Sequence, residues 1–231
     1  MIYRNWVVWV VLCIGCVAFG AEKKVVVELD TSAVPEQAEW GQKAKAIVEE
    51  WYPRMVNLIP TQGFEPPTEV KITLRKSDRG IADASGPHIR ISSGWIEKHP
   101  EDIGLVVHEL IHIIQNYGRT SQGWLTEGIA DYLRWAIYEG KPLTWFHVPK
   151  EADGYKQSYQ VTAGFLFWLE TDLAPGIVNK LNTSLRKKTY SDAIFETATG
   201  QSLDALWAKY QEYRTALAAR PAEAAAPASP Q

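Results

Sequence analysis

The chain has 231 residues, of which 46% are apolar and 22% charged, and its 24 Lys and Arg against 27 Asp and Glu give a formal net charge of −3. This length and composition suit one globular domain and exclude a disordered polymer, a collagen and a small disulfide scaffold. Nucleic-acid-binding proteins are usually basic, so we expect no nucleic-acid partner. The charge balance gives no reason to expect an anionic membrane partner either.

The first twenty residues have the pattern of a secretory signal peptide. Arg4 is their only charge, an almost wholly apolar run covers Trp6–Phe19, and Gly20 is a small residue where a signal peptidase would cut. We therefore expect cleavage after Gly20, a secreted or periplasmic protein, and no membrane contact afterwards. The alternative is a lipid anchor on Cys16, which the spacing disfavours because Leu12 lies four rather than three positions upstream.

The first half of the remaining chain is predicted to combine strands with one helix. Apolar residues at helical spacing after a proline predict a helix over Glu36–Met55. Short β-branched or alternating runs predict the strands Lys24–Leu29, Glu69–Leu74, Ile81–Ala84 and His88–Ser92. We expect the last of these strands at the edge of the sheet.

The second half is predicted to be helical. Apolar residues recur there with a period near 3.6, which predicts helices over Glu101–Tyr117, Leu125–Tyr138, Ser158–Leu169, Pro175–Asn182, Ser191–Thr197 and Ser202–Ala219. Strands followed by helices indicate an α+β fold with a cleft between its two halves. The Ala- and Pro-rich end, Arg220–Gln231, is predicted to be disordered, so the folded domain should span residues 21–219.

The most informative motif is HELIH, from His108 to His112. Residues i and i+4 share one helix face, so both imidazoles can bind one metal ion while Glu109 reaches a water on that ion. The alternative is two surface histidines on an amphipathic helix. The surrounding residues are mainly isoleucine, valine and leucine, and unpaired imidazoles are costly in such surroundings. The motif therefore favours a metal site with Glu109 as general base.

A catalytic zinc ion usually has three protein ligands and one open position. The longer motif HExxHxxGxxH would require a histidine where this chain has Gly118. Glu127 begins the next predicted helix, and Asp131 lies four residues further on the same face. We therefore predict one Zn²⁺ on His108, His112 and Glu127, with Asp131 accepting the other N–H of a ligating histidine, most simply His108. The alternative for the two acids is a solvated first helical turn.

Three segments resemble the basic secretory protease family of plants and bacteria. They are HELIHIIQ from His108, WLTEGIADY from Trp124 and SYQVTAGFL from Ser158, and the similarity runs from about Val25 to Tyr213. The resemblance implies a secreted zinc peptidase with a zincin-like fold, a small mixed sheet, an active-site helix and a helical C-terminal half. It also implies a peptide or protein substrate, and we expect a monomer.

Carried over by position, the family's zinc ligands fall on His108, His112 and Glu127, and its general base falls on Glu109. Its tyrosine falls on Tyr159, our first candidate for the donor that stabilises the oxyanion; His147 and Tyr155 are lesser candidates. By analogy with zincins, an edge strand before the active-site helix should pair with the substrate backbone.

Two features depart from the family. This chain is acidic, and Ser158 stands where glycine is expected before the tyrosine.

Two other classes of function remain open from the sequence. One is a protein that binds zinc without turnover, which Glu109 beside the open position argues against. The other is a glycan-binding module, suggested by the ten tryptophans of the chain. These tryptophans do not cluster in one set of strands, so this class is the weaker of the two.

Overall fold

The computed structural model describes residues 24–219. The predicted signal peptide, its cleavage point at Gly20, the alternative anchor Cys16 and the predicted tail from Arg220 lie outside the described residues. The strands are β1 (Val26–Asp30), β2 (Glu69–Arg75), β3 (Ala82–Ser85) and β4 (His88–Ser92). The helices are α1 (Ala38–Leu58), α2 (Ser93–Lys98), α3 (Leu105–Gln115), α4 (Gly123–Asp131), α5 (Tyr159–Trp168), α6 (Ile177–Arg186), α7 (Ala193–Thr199) and α8 (Leu203–Ala218).

The four strands form one mixed sheet in the order β1-β2-β4-β3. β1, β2 and β4 are parallel, whereas β3 runs antiparallel to β4. This arrangement confirms the predicted α+β class with a small mixed sheet. The prediction that His88–Ser92 forms the edge was wrong, because β3 folds back outside it. Ile89 and Ile91 of β4 are fully buried, as expected of an inner strand, while β3 offers only two alanines to the core.

One face of the sheet is covered and the other faces solvent. Val70, Ile72 and Leu74 of β2 point to the covered face and are buried. On the other face Asp83 of β3 pairs with Arg90 of the neighbouring strand β4 and with Arg75 of β2, one strand further on. This alternation follows from the period of two in a strand, and it directs the apolar residues of β2 and β4 toward the helices.

The central helix of the fold is α3, which carries the HELIH motif. All of its residues except His112 are buried, because it lies beneath the sheet and between α1 and α4. Its carboxyl end is held by Arg186, which donates to the carbonyls of Ile114 at 3.0 Å and Gln115 at 3.2 Å. A cation at this end of a helix is favourable because the last carbonyls lack helical partners. The helix is therefore fixed both by its apolar surroundings and by its end.

The helix predicted over Leu125–Tyr138 is divided in two. α4 ends at Asp131, and the chain continues as a π-helical segment over Tyr132–Tyr138. Such segments occur frequently at functional sites, and this one follows the predicted third ligand directly. Among residues 24–219 no helix combines the length and apolarity that crossing a bilayer requires.

The close packing of α4 on α5 depends on a glycine. Gly128 lies against Thr162, and a Cβ at position 128 would overlap the Thr162 side chain. Thr162 is fully buried and its hydroxyl donates to the carbonyl of Tyr155 at 2.6 Å, so it has no room to turn away. Only glycine allows the two helices to approach this closely.

We expect Gly128→Ala to lower the free energy of unfolding by about 1–3 kcal/mol, the usual cost of overpacking a core. Gly123→Ala is the matched control, since Gly123 is in the same helix and has nothing within 4 Å of its added Cβ. That variant should be neutral or more stable, because alanine favours helix. Urea unfolding of both variants measures the difference, and equal stabilities would contradict the packing argument.

Candidate metal centre and active-site cleft

A cleft of about 670 Å³ opens between β3 and the helices α3, α4 and α5. The residues that line it come from these four elements, from the π-helical segment after α4 and from the loop before α5. The lining side chains that can bind a metal ion or exchange a proton are His108, Glu109, His112, Glu127, Asp131, His147 and Tyr159. The structure therefore brings together the predicted ligands, the predicted base and the first candidate donor.

Three acceptor atoms converge at one point in this cleft. Nε2 of His108 lies 3.0 Å from Nε2 of His112 and 3.1 Å from Oε2 of Glu127. Nε2 of His112 lies 3.3 Å from the same carboxylate oxygen. Among the described residues these three form a group able to hold a metal ion. The one-turn spacing of the histidines and the antiparallel return of α4 produce this convergence.

The second ring nitrogen of each histidine is held by an oxygen. Nδ1 of His108 donates to Oδ1 of Asp131 at 2.7 Å, which is the contact predicted for Asp131. Nδ1 of His112 donates to Oε1 of Gln115 at 2.8 Å. The amide nitrogen of Gln115 donates to the carbonyl of Thr126 at 3.0 Å, which fixes the orientation of this amide. Both Nε2 atoms are therefore left with lone pairs that face Glu127.

This donor set fits a divalent metal ion. Three lone pairs so close together repel each other unless a cation lies between them, and two imidazoles with one carboxylate are a usual set for catalytic zinc. Burial works against charge on Glu127, yet the two neighbouring imidazoles outweigh it and lower its pKa. The carboxylate is therefore ionised and available as a ligand.

Gln115 was not among the residues predicted for the site. The sequence does contain a pattern that could have indicated it. Gln115 is a polar residue in an isoleucine-rich helix, and it lies three positions after His112 and therefore on a neighbouring face. Residues in this role are polar and buried, and Gln115 is almost fully buried.

Glu109 lines the same cleft without belonging to the convergent group. Its side chain is buried, and burial raises its pKa although the neighbouring histidines act in the opposite direction. A carboxylate with a raised pKa is a stronger base than one in water.

The candidate donors have different surroundings. Tyr159 begins α5, is 55% exposed, and stacks at 6.3 Å between ring centroids on His108. The negative charge of Glu127 is the main reason that the pKa of Tyr159 is raised, so its hydroxyl keeps its proton. His147 also lines the cleft and is exposed. Tyr155 is buried and its hydroxyl donates to Asp204 at 2.7 Å, so its expected role as a lesser donor was wrong.

The backbone is strained immediately before Tyr159. Ser158 has φ 70° and ψ −173°, a conformation found almost only in glycine, and Tyr159 itself has φ 48°. Each such residue costs on the order of 1–3 kcal/mol, and strain of this kind clusters at functional sites. The serine noted above as a departure from the family therefore occupies a glycine conformation.

We expect Asp131→Ala and Gln115→Ala each to weaken zinc binding by about 10- to 100-fold, because each removes the oxygen that orients a ligating imidazole. Asp131→Asn should lose less, since its amide oxygen still accepts from His108. Competition titration with a fluorescent chelator measures the affinities, and Gln62→Ala, at an exposed turn that does not line the cleft, serves as control. If both alanine variants bound zinc with wild-type affinity, Asp131 and Gln115 would have a purely structural role.

Comparison with known proteins agrees with this geometry. The family model described as "Peptidase of plants and bacteria" matches residues 31–210. No curated protein and no solved structure gives a significant match. The matched range covers most of the sheet, the whole cleft and all three segments in which the family resemblance was found. The chain therefore belongs to this peptidase family of plants and bacteria, as its sequence motifs predicted.

Proposed function

We propose that the protein is a zinc-dependent peptidase that acts outside the cytoplasm as a monomer after removal of its first twenty residues. Membership of a peptidase family supports the hydrolysis of peptide bonds. The observation that carries the dependence on zinc is the convergence of three lone pairs on His108, His112 and Glu127 beside the buried Glu109.

The metal has a defined role in this proposal. Zn²⁺ held by the two histidines and Glu127 would supply a Lewis acid and lower the pKa of a water molecule toward neutrality. Asp131 and Gln115 keep the two imidazoles in the tautomer that leaves both Nε2 atoms free.

Glu109 is the general base of the proposed reaction. Its carboxylate takes the proton from the attacking water, holds it on one oxygen, and donates it to the leaving amine nitrogen when the peptide bond breaks. The enclosed position suits both steps, since burial raises the pKa of this residue and strengthens it as a base.

The edge strand β3 offers a binding surface for the substrate backbone. The carbonyl of Ile81 accepts from the backbone nitrogen of Ser92 at 2.9 Å, so Ile81 faces β4. Because hydrogen bonding alternates along an antiparallel strand, Ala82 and Ala84 direct their N–H and C=O groups away from β4, toward the cleft. An extended peptide can pair with these groups and lie across the metal centre.

Tyr159 is the proposed donor to the oxyanion. The phenol is neutral, stands at the rim of the cleft and lies over the ring of His108. A neutral hydroxyl stabilises negative charge that develops only in the transition state.

Glu109→Gln should retain one zinc per chain and lower kcat on casein-derived peptides by about 10²- to 10⁴-fold, because the amide is similar in size and cannot accept the proton. His112→Ala should lose both zinc and activity. Elemental analysis and peptide hydrolysis are measured on the same preparations. Near wild-type hydrolysis by Glu109→Gln would refute the role of Glu109 as base and with it the proposed mechanism.

Tyr159→Phe should lower kcat by about 10²- to 10³-fold with KM and zinc content little changed, since it removes only a transition-state donor. Tyr155→Phe is the matched control four residues away. It loses its hydrogen bond to Asp204 and should be less stable by about 0.5–1.5 kcal/mol with kcat unchanged. Full activity in Tyr159→Phe would transfer the role to His147, the other cleft candidate.

A further inference from the structure

A second hollow of about 900 Å³ adjoins the catalytic cleft. The two share Ile81, Arg134 and Trp135 along their common border. We call this hollow the side pocket. It lies past the amino end of β3 and beside the amino end of α3, so a chain that leaves the cleft in this direction enters it.

The walls of the side pocket are aromatic and held in place. Trp95 stacks on His99 at 4.1 Å, and its indole nitrogen donates to Oδ2 of Asp102 at 2.9 Å. Trp135 lies between the guanidinium of Arg134, 3.8 Å from its ring, and the ring of Trp145 at 4.7 Å. Rings that are already fixed lose little entropy when a ligand packs between them.

The charges at the floor of the side pocket are paired within the protein. Arg134 bonds to Asp102 and, through its Nε at 3.1 Å, to Glu139. All three side chains are at least four-fifths buried. Nζ of Lys141 lies 3.7 Å from Oε2 of Glu139. Because two cations thus balance two carboxylates, the floor favours an apolar ligand over a charged one.

The direction of the substrate follows from β3. Antiparallel pairing is the more stable of the two kinds, so a bound peptide should run from Ser85 toward Ile81. At the Ser85 end the groove is shared with His112 and Glu127, whereas at the Ile81 end it opens into the side pocket. The peptide therefore passes the metal centre first and the side pocket afterwards.

We propose that the side pocket sets the specificity of the cleft by taking an aromatic side chain from one of the first two substrate residues after the cleaved bond. This inference rests on the proposed peptidase function and adds its substrate class. Ile81 controls the entrance, since it is 44% exposed and lines both hollows.

The test compares two peptides that differ only in carrying Phe or Ala at the two positions after the cleaved bond. The wild-type zinc enzyme should cleave the Phe peptide with a kcat/KM about 10- to 100-fold higher, as expected for burial of one large apolar side chain. Ile81→Trp, which fills the entrance, should remove most of this preference. Leu58→Trp is the matched control, because Leu58 is 42% exposed and lines neither hollow.

A binding measurement separates this inference from the proposed function. Calorimetric titration of zinc-loaded Glu109→Gln should show the Phe peptide binding about tenfold more tightly or better, and adding Ile81→Trp should abolish the difference. Equal affinity for both peptides overturns the inference whether or not the wild type hydrolyses them. A clear Phe preference in binding without any wild-type hydrolysis supports the pocket and overturns the peptidase proposal instead.

Discussion

The approach of α4 to α3 is the constraint on which the candidate site depends. It places the Glu127 carboxylate within 3.3 Å of both Nε2 atoms of His108 and His112. Such an arrangement of acceptors is unfavourable unless a proton or a metal ion lies between the three lone pairs. The fold must therefore force these groups together, and the burial of apolar residues on both helices supplies the free energy to do so.

The polar atoms in this apolar centre are matched in pairs. Asp131 accepts a hydrogen bond from His108, and Gln115 accepts one from His112. The amide of Gln115 in turn donates to the carbonyl of Thr126. A buried polar network stabilises a fold only when its members are satisfied, and these partners meet that condition around the ligands. The result is a rigid set of candidate ligands, whose orientation is determined by Asp131 and Gln115, two residues outside the convergent group.

Local geometry explains which parts of the site could be predicted from sequence. The spacing of His108, Glu109 and His112 determines their arrangement once the segment is helical, and the same rule relates Glu127 to Asp131. These five residues do meet in the structure.

Features that depend on distant parts of the chain could not be predicted in the same way. The order of the strands depends on how a hairpin folds back, so β4 was taken for the edge that β3 in fact forms. Tyr155 was kept as a lesser candidate beside Tyr159 because the strained turn between them cannot be predicted from residue types. The side pocket is lined by both Trp95 and Trp135, which are forty positions apart in the chain. No local sequence pattern predicts that these two residues line one pocket.

The structure also weakens the glycan-binding alternative. Trp40, Trp168 and Trp207 are buried in the core, where they cannot form a sugar platform. Trp95 and Trp135 do face a hollow, but one that opens from the catalytic cleft. Trp95 and Trp135 are therefore well placed to contact a side chain of a bound peptide, and the proposed peptidase function explains them without a glycan.

One residue couples the metal centre to the proposed oxyanion donor. The methyl group of Thr162 lies against Gly128, next to the ligand Glu127, and so sets how closely α4 can approach α5. Its hydroxyl donates to the carbonyl of Tyr155 at 2.6 Å and thereby fixes the chain just before the strained turn that presents Tyr159. The strain at that turn persists because both of its ends are anchored. A buried threonine outside the proposed chemistry thus sets the distance between the candidate ligand Glu127 and the proposed donor Tyr159.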